Sequence, residues 1–222
     1  MPAHRIVEGL AMFAVLLFSL SFHEFGHAWT ASRRGDPTPG QLGRVTLNPM
    51  AHADFVGTIL FPLLQIFSGV PLIGWAKPVP FSPANLRNPH VDTVLVASAG
   101  PVFNLILALA AAVAWRLNGL VLGGFDGGLL LTVHDFLRYV LPLVLQINVL
   151  LAIFNLIPMP PLDGSYLVES VLPRPLAAQY RAFGAHWGFV VVLLLVYTGV
   201  TGRIIHFGAA LITPVLAAIA GI

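Results

Sequence analysis

Six apolar stretches run along the chain, separated by connections rich in Gly and Pro. They lie at about 6–31, 55–75, 93–117, 136–157, 186–200 and 204–222. Because a membrane-spanning helix needs about 20 apolar residues, four of these stretches are long enough to be plain spans. The stretch 186–200 is short unless its helix begins near Gln179, and the stretch 55–75 is interrupted by Pro62, Gly69, Pro71 and Gly74. The pattern predicts an all-α polytopic membrane protein with one doubtful element, 55–75.

The basic residues of the connections predict the orientation of these helices. Loop 32–54 carries three arginines, loop 76–92 carries Lys77 and Arg87, and loop 118–134 carries no Lys or Arg. Since cytoplasmic loops are enriched in Lys and Arg, we expect 32–54 and 76–92 in the cytoplasm and 118–134 on the other side. A stretch that joins two loops on one side cannot cross the bilayer once. We therefore expect 55–75 to be re-entrant or to lie along the surface, shielded by protein beside a polar cavity.

Composition narrows the class of protein. Hydrophobic residues make up 57% of the chain and charged residues 9%, against about 25% charged residues in soluble domains. The sequence therefore predicts a single membrane-embedded domain over 1–222, in contact with the lipid bilayer. The net charge of +2 comes from basic residues scattered through the loops, so nucleic acid is not an expected partner. With no cysteine in the chain, metal ligands must come from His, Asp and Glu.

Three ionisable residues stand inside the first apolar stretch, in the segment H-E-F-G-H at 23–27. Residues four apart share a helix face, so His23 and His27 can present ring nitrogens to one ion with Glu24 beside them. H-E-x-x-H is the spacing of zinc peptidases, in which both histidines bind the metal and the glutamate is the general base. The structural alternative is a pair of interface histidines with Glu24 paired to Arg33 or Arg34.

A catalytic zinc site usually has three protein ligands, so a third must come from elsewhere. Asp163 follows an apolar helix that the prolines of N-L-I-P-M-P-P-L-D-G, at 155–164, must break. Asp163-Gly164 is also a common turn dipeptide, which is its structural alternative. If 55–75 does not cross, however, Asp163 falls at the same end of the bundle as His23 and His27. His52 is the rival third ligand.

These segments together resemble the site-2 proteases, zinc metalloproteases that cut transmembrane helices within the bilayer. The resemblance rests on H-E-F-G-H, on N-L-I-P-M-P-P-L-D-G and on G-P-V-F-N at 100–104. The loop stretches G-R-V-T-L-N-P at 43–49 and G-W-A-K-P-V-P at 74–80 also look like the compact prokaryotic members. We expect neither the PDZ insert nor the CBS domain that some members carry, and no further span before the first motif.

The resemblance implies a three-helix catalytic core made of 6–31, 93–117 and 136–157. It implies one zinc ion per chain with His23, His27 and Asp163 as ligands and Glu24 as base. The core then covers about 6–165, and additional transmembrane helices occupy about 179–222.

Two asparagines are candidates for substrate-binding or supporting roles. Asn104 is a polar amide within an apolar run, and the resemblance implies that it lies near the active site and helps to hold the substrate backbone. An interhelical hydrogen bond without a catalytic part is the alternative. Asn155 lies where the fourth helix breaks, and a purely structural capping role is equally open.

The expected function is that of an intramembrane zinc endopeptidase acting on transmembrane protein substrates. We expect a multi-pass protein of a prokaryotic cell membrane, with its active site toward the cytoplasm. The alternative is a metal-ion transporter or sensor that uses the same ligands without hydrolysis. Transport predicts polar residues through the whole bilayer thickness, whereas here they concentrate at one end, and Glu24 would have no clear task.

Overall fold

Five long apolar helices make up most of the computed structural model, which describes residues 3–68, 74–125 and 127–221. Each is long and apolar enough to cross a membrane. They are α1 Ala3–Arg33, α5 Pro89–Leu122, α6 Gly128–Asn155, α8 Arg174–Tyr197 and α9 Val200–Ala220. No strand occurs in the described residues. The predicted all-α polytopic membrane fold is confirmed.

Short helices occupy the connections. They are α2 Thr38–Gln41, α3 Pro49–His52, α4 Phe61–Ser68 and α7 Gly164–Val171, with a π-helical turn Phe55–Leu60 and a 3₁₀ turn Pro83–Asn85. Side chains cap the N-termini of two of these short helices. Asn48 accepts from the backbone N–H of Met50, and Asp54 accepts from that of Gly57 at 2.8 Å. The connections are therefore ordered by local hydrogen bonds.

Helices α1, α5 and α6 pack together as the core of the bundle. The backbones of α1 and α5 approach closely at Gly26, where a Cβ would lie only 2.9 Å from the carbonyl oxygen of Ala99. Between α5, α6 and α9 lies a cluster of buried apolar side chains that includes Ala108, Val149 and Leu216. Small residues at such contacts let helix backbones approach, which is how membrane helices gain packing energy.

The two ends of the doubtful stretch 55–75 lie next to each other. The backbone N–H of Trp75 donates to the carbonyl of Gly57 at 3.2 Å, and the hydroxyl of Thr58 donates to the carbonyl of Trp75 at 2.7 Å. Between these ends, Ile66 packs against Gly9, far along α1 from its motif. Such a path is re-entrant, one of the two arrangements that the distribution of Lys and Arg predicted. Residues 69–73 of the stretch lie outside the described residues.

The loops on either side of this stretch are bonded to each other. The backbone N–H of Lys77 donates to the carbonyl of His52 at 2.8 Å, and that of Arg87 donates to the carbonyl of Arg34 at 3.0 Å. Loops 32–54 and 76–92 therefore lie together at one end of the bundle.

Asp36 is a buried carboxylate that reinforces this junction. It accepts from the hydroxyl of Thr38 at 2.6 Å, from the side-chain amide of Asn85 at 2.9 Å and from the backbone N–H of Ser82 at 2.6 Å. Burial alone raises the pKa of Asp36, but these hydrogen bonds outweigh burial and hold the pKa below its usual range. The carboxylate therefore stays charged at neutral pH and ties the end of α1 to the start of α5.

The predicted ends of two helices are wrong. The sequence predicted spans at 93–117 and 136–157 with a loop 118–134 between them, whereas only 123–127 separates α5 from α6. Asn118 and His134 look like loop residues because they are polar. Both are helical, and the Asn118 side chain donates to the His134 carbonyl at 3.2 Å across the helix pair. The stretch 186–200 lies largely in α8, which begins at Arg174, before Gln179, and is therefore long enough to span.

Cysteine labelling is expected to report this topology. Single cysteines can be placed at Gly40, Ala84 and Gly127, which are all exposed positions of a cysteine-free chain. A thiol reagent that cannot cross the membrane should label the cysteines at 40 and 84 from the same side. Gly127 should show the opposite accessibility, because α5 crosses between it and Ala84. If Ala84 behaved like Gly127, the stretch 55–75 would be a true span.

Candidate metal centre

The two histidines of the first motif lie on one face of α1 and point at a glycine of α5. Their Nε2 atoms are 3.1 Å apart, and both rings are buried. A Cβ at Gly100 would lie 2.6 Å from His23 Nε2 and closer still to His27 Nε2. Only glycine leaves room here for both rings against the α5 backbone, so the α1–α5 contact and the histidine pair depend on each other.

Asp163 reaches the histidine pair because α6 ends early. The helix stops at Asn155, and the chain then turns through a proline-rich segment in which Gly164 lies tightly against the carbonyl of Leu156. Asp163 is the N-cap residue of α7, but its side chain makes no capping hydrogen bond. Instead its Oδ2 lies 3.1 Å from His23 Nε2 and 3.4 Å from His27 Nε2.

Helix α8 supports the segment that carries Asp163. Cβ atoms at Gly184 and Gly188 would both collide with Pro160, so α8 packs directly on the broken backbone. The hydroxyl of Tyr180 adds a hydrogen bond to the carbonyl of Pro158 at 3.0 Å. No sequence pattern assigned a role to α8, yet this helix holds the segment of the third candidate ligand in place.

The chemistry of these three groups fits a divalent cation. His23 Nδ1 lies 2.6 Å from Asn104 Oδ1, and His27 Nδ1 lies 2.7 Å from the carbonyl of Val96. Both partners only accept, so each Nδ1 carries the proton and each Nε2 presents a lone pair in the neutral ring. Asp163 Oδ2 is buried without a hydrogen-bond donor. Three ligand atoms without protons thus converge within 4.8 Å, as a tetrahedral zinc site with an open position requires.

Glu24 lies next to this cluster but outside it. Its Oε2 accepts a hydrogen bond from the backbone N–H of Val79 at 3.0 Å, and its side chain is buried. Val79 stands between Pro78 and Pro80, in a segment without helix or strand. The loop 74–80 therefore contacts Glu24 and orients its carboxylate.

A comparison with known families agrees with this arrangement. Residues 11–195 match the model of the family described as Peptidase family M50. The chain belongs to peptidase family M50. This is the family of the site-2 proteases, so the resemblance seen in the motifs is confirmed. The match includes His23, Glu24, His27 and Asp163.

Curated M50 relatives cover most of the chain. It is 37% identical to "Putative zinc metalloprotease YwhC" of Bacillus subtilis (strain 168) over 187 residues, which are 82% of this chain and 78% of the relative. It is 30% identical to "Putative zinc metalloprotease Rip2" of Mycolicibacterium smegmatis over 214 residues, which are 91% of this chain and 72% of the relative. No solved structure matches the chain significantly.

The other candidates of this M50 chain occupy different positions. Asn104 is fully buried against His23, as described above. Asn155 is half-buried at the end of α6, where its amide donates to the carbonyl of Leu151 at 3.0 Å. The rival ligand His52 is buried, with its Nε2 2.9 Å from the carbonyl of Thr46. Among the described residues, the group that could hold a metal consists of His23, His27 and Asp163.

The sequence analysis did not assign Val79, Val96 or Asn148 to the site, and it did not connect Gly100 with the histidine pair. Val96 and Val79 act through backbone atoms, which no residue pattern reveals. Gly100 had a signal, since it lies one turn before Asn104 in G-P-V-F-N. Asn148 had the same signal as Asn104, because it is an amide within an apolar run.

Proposed function

We propose that this protein is an intramembrane zinc endopeptidase that cuts transmembrane protein substrates within or near their apolar segments. The observation that carries the proposal is the convergence of two histidine nitrogens and a carboxylate oxygen on one point inside the bundle. One ion per chain would be held by His23, His27 and Asp163. The family and the relatives named as zinc metalloproteases support the choice of zinc.

The chemistry follows from the residues around that point. Zinc bound there supplies a Lewis acid that lowers the pKa of a water and polarises the scissile carbonyl. Glu24 takes the proton of the attacking water as general base. Its Oε2 is held by Val79, while its Oε1 accepts no hydrogen bond from the part of the chain that the structure describes. That free oxygen is the atom available to receive the proton.

The position of the ligands supports a substrate within the membrane. His23 and His27 belong to α1, one of the five helices long and apolar enough to span. The site lies near the end of the bundle that carries loops 32–54 and 76–92, which the positive-inside rule places in the cytoplasm. We therefore propose a multi-pass protein of a prokaryotic cell membrane, which cuts near the cytoplasmic face.

A helical substrate hides its carbonyl groups in hydrogen bonds and must be unwound before attack. The loop 74–80 offers partners to an unwound strand. Pro78 and Pro80 have no N–H, and their carbonyls accept no hydrogen bond from any described residue. These carbonyls can accept from the backbone of an extended substrate.

The two asparagines differ in their access to substrate. Every polar atom of Asn104 already has a partner inside the bundle, which favours a supporting role over contact with the substrate. Asn155 is half-buried, and its amide oxygen accepts from no described residue. We propose Asn155 as the amide that meets the substrate.

Metal content and metal removal test the proposal. Purified wild type should hold about one zinc per chain, and the His23→Ala/His27→Ala variant should lose it, because a lone carboxylate cannot retain the ion. The His52→Ala variant is the matched control and should keep its zinc. In proteoliposomes, cleavage of helix-destabilised transmembrane substrates should stop on chelation and return when zinc is added.

Two outcomes would contradict these assignments. Full metal retention in the double variant would remove His23 and His27 as ligands. Zinc flux across the proteoliposome membrane, without any peptide fragment, would support the transporter alternative.

A further inference from the structure

A chain of buried polar side chains connects His23 to α6. Asn104 Oδ1 lies 2.6 Å from His23 Nδ1, and Asn104 Nδ2 donates to Asn148 Oδ1 at 2.7 Å. Asn148 Nδ2 donates in turn to Ser19 Oγ and to the carbonyl of Val144, both at 2.8 Å. Asn104, Asn148 and Ser19 are all 0% exposed. Three helices thus contribute to one hydrogen-bonded path that starts at a candidate metal ligand.

Backbone carbonyls fix the direction of this path. A carbonyl can only accept, so the group of Asn148 facing Val144 must be its NH₂, and its oxygen must face Asn104. The NH₂ of Asn104 then faces that oxygen and, at 3.3 Å, the carbonyl of Ser19. Reversing either amide would place oxygen against oxygen at a site whose side chains are fully buried. Asn104 is left with only its oxygen to offer His23.

The two histidines are oriented by different devices. His27 Nδ1 meets the carbonyl of Val96 directly, a group whose polarity cannot change. His23 Nδ1 meets an amide, and an amide can present either oxygen or NH₂. Val96, Gly100 and Asn104 are spaced four residues apart on α5, so one helix face serves both rings. Only the His23 half of the site needs a second residue to choose the correct amide atom.

We propose that Asn148 is a positioning residue that keeps the side-chain oxygen of Asn104 facing His23. That oxygen holds the ring proton of His23 on Nδ1 and leaves Nε2 of His23 free for the metal. This rests on the zinc site of the proposed function. Without Asn148, only the longer contact to the Ser19 carbonyl, at 3.3 Å, opposes a rotation of Asn104 that presents its NH₂ to His23. The ring must then carry its proton on Nε2, where it competes with the ion. Asn148 touches neither metal nor substrate, and it acts through Asn104 alone.

Zinc affinity of the full chain in detergent tests this role, measured by competition with a chelating dye. Asn148→Leu should weaken zinc binding about tenfold, since loss of groups that orient metal ligands costs roughly 10- to 100-fold in affinity. Asn148→Ala is the second variant, in case the larger side chain disturbs folding. The matched control is Asn118→Leu, which removes another buried interhelical amide contact, the one to the His134 carbonyl. It should change zinc affinity less than twofold.

Substrate kinetics separate positioning from general damage. At limiting zinc, the Asn148 variants should show reduced kcat with KM unchanged, and excess zinc should restore kcat, whereas a misfolded bundle would not be rescued. Equal zinc affinity in wild type and both Asn148 variants would overturn the proposal, as would an equal loss in Asn118→Leu. If wild type binds zinc but cuts nothing, the proposed function fails while the affinity comparison still decides the role of Asn148.

Discussion

Glu24→Gln is expected to lower cleavage of a transmembrane substrate by roughly 10²- to 10⁴-fold while leaving zinc content unchanged. The amide keeps the size of the side chain, and its oxygen can still accept from the backbone N–H of Val79. It cannot take a proton from water at neutral pH. Because Glu24 lies outside the group of three candidate ligands, metal binding should not depend on its charge.

Turnover and elemental analysis on the same preparations measure the two halves of this prediction. Glu8→Gln is the matched control, since Glu8 is an exposed glutamate toward the other end of α1. It should keep full activity. Zinc loss in Glu24→Gln would instead make Glu24 a ligand, and unchanged cleavage would remove it as the base.

The second large effect, on zinc affinity, is expected when a single methyl group is added at Gly100. In Gly100→Ala, the added Cβ would overlap the Nε2 atoms of His23 and His27, and the α5 backbone cannot retreat without opening the α1–α5 contact. The rings must move off the point they share with Asp163. We expect zinc affinity to fall by more than the roughly 100-fold typical of lost orienting groups.

Gly119→Ala provides the control on the same helix. A Cβ at Gly119 meets nothing within 4 Å, so alanine there should leave zinc affinity unchanged and stabilise α5 slightly. Isothermal titration with zinc compares the two variants. Normal zinc binding by Gly100→Ala would show that the histidine pair is not wedged against α5 as described.

Patterns within short segments of the sequence predicted the features that depend only on residues close together in the chain. The spacing of His23 and His27 requires only the helical repeat, and the five long helices follow from length and hydropathy. The expectation that 55–75 is re-entrant or lies along the surface came from counting Lys and Arg in the loops on either side, which predicts orientation wherever those loops lie. Each of these inferences needs no knowledge of which helices touch.

Packing decided the features that the sequence left open. Asp163 could have been an ordinary turn residue, and its carboxylate faces the histidines because α8 packs on Pro160 and Gly164 folds against Leu156. Beyond their predicted ends, α5 and α6 are joined by the hydrogen bond from the Asn118 side chain to the His134 carbonyl. Such contacts join residues far apart in the chain, so no local pattern carries them.

Asn104 illustrates how burial changes the interpretation of a motif. An amide within an apolar run must find partners, and the sequence left both substrate and protein open as candidates. In the folded chain Ser19, His23 and Asn148 take all of its hydrogen-bonding atoms. The supporting role therefore has the stronger physical basis, and Asn155 is the better candidate for substrate contact.

The cleaved bond itself tests the central claim most directly. Full-length protein, reconstituted in proteoliposomes with zinc and a helix-destabilised transmembrane substrate, should yield fragments whose new termini, read by mass spectrometry, lie within or at the cytoplasmic edge of the apolar segment. The same fragments should be absent with Glu24→Gln. A wild type that yields no fragment absent from the Glu24→Gln sample, across a panel of such substrates, would contradict intramembrane proteolysis by this site.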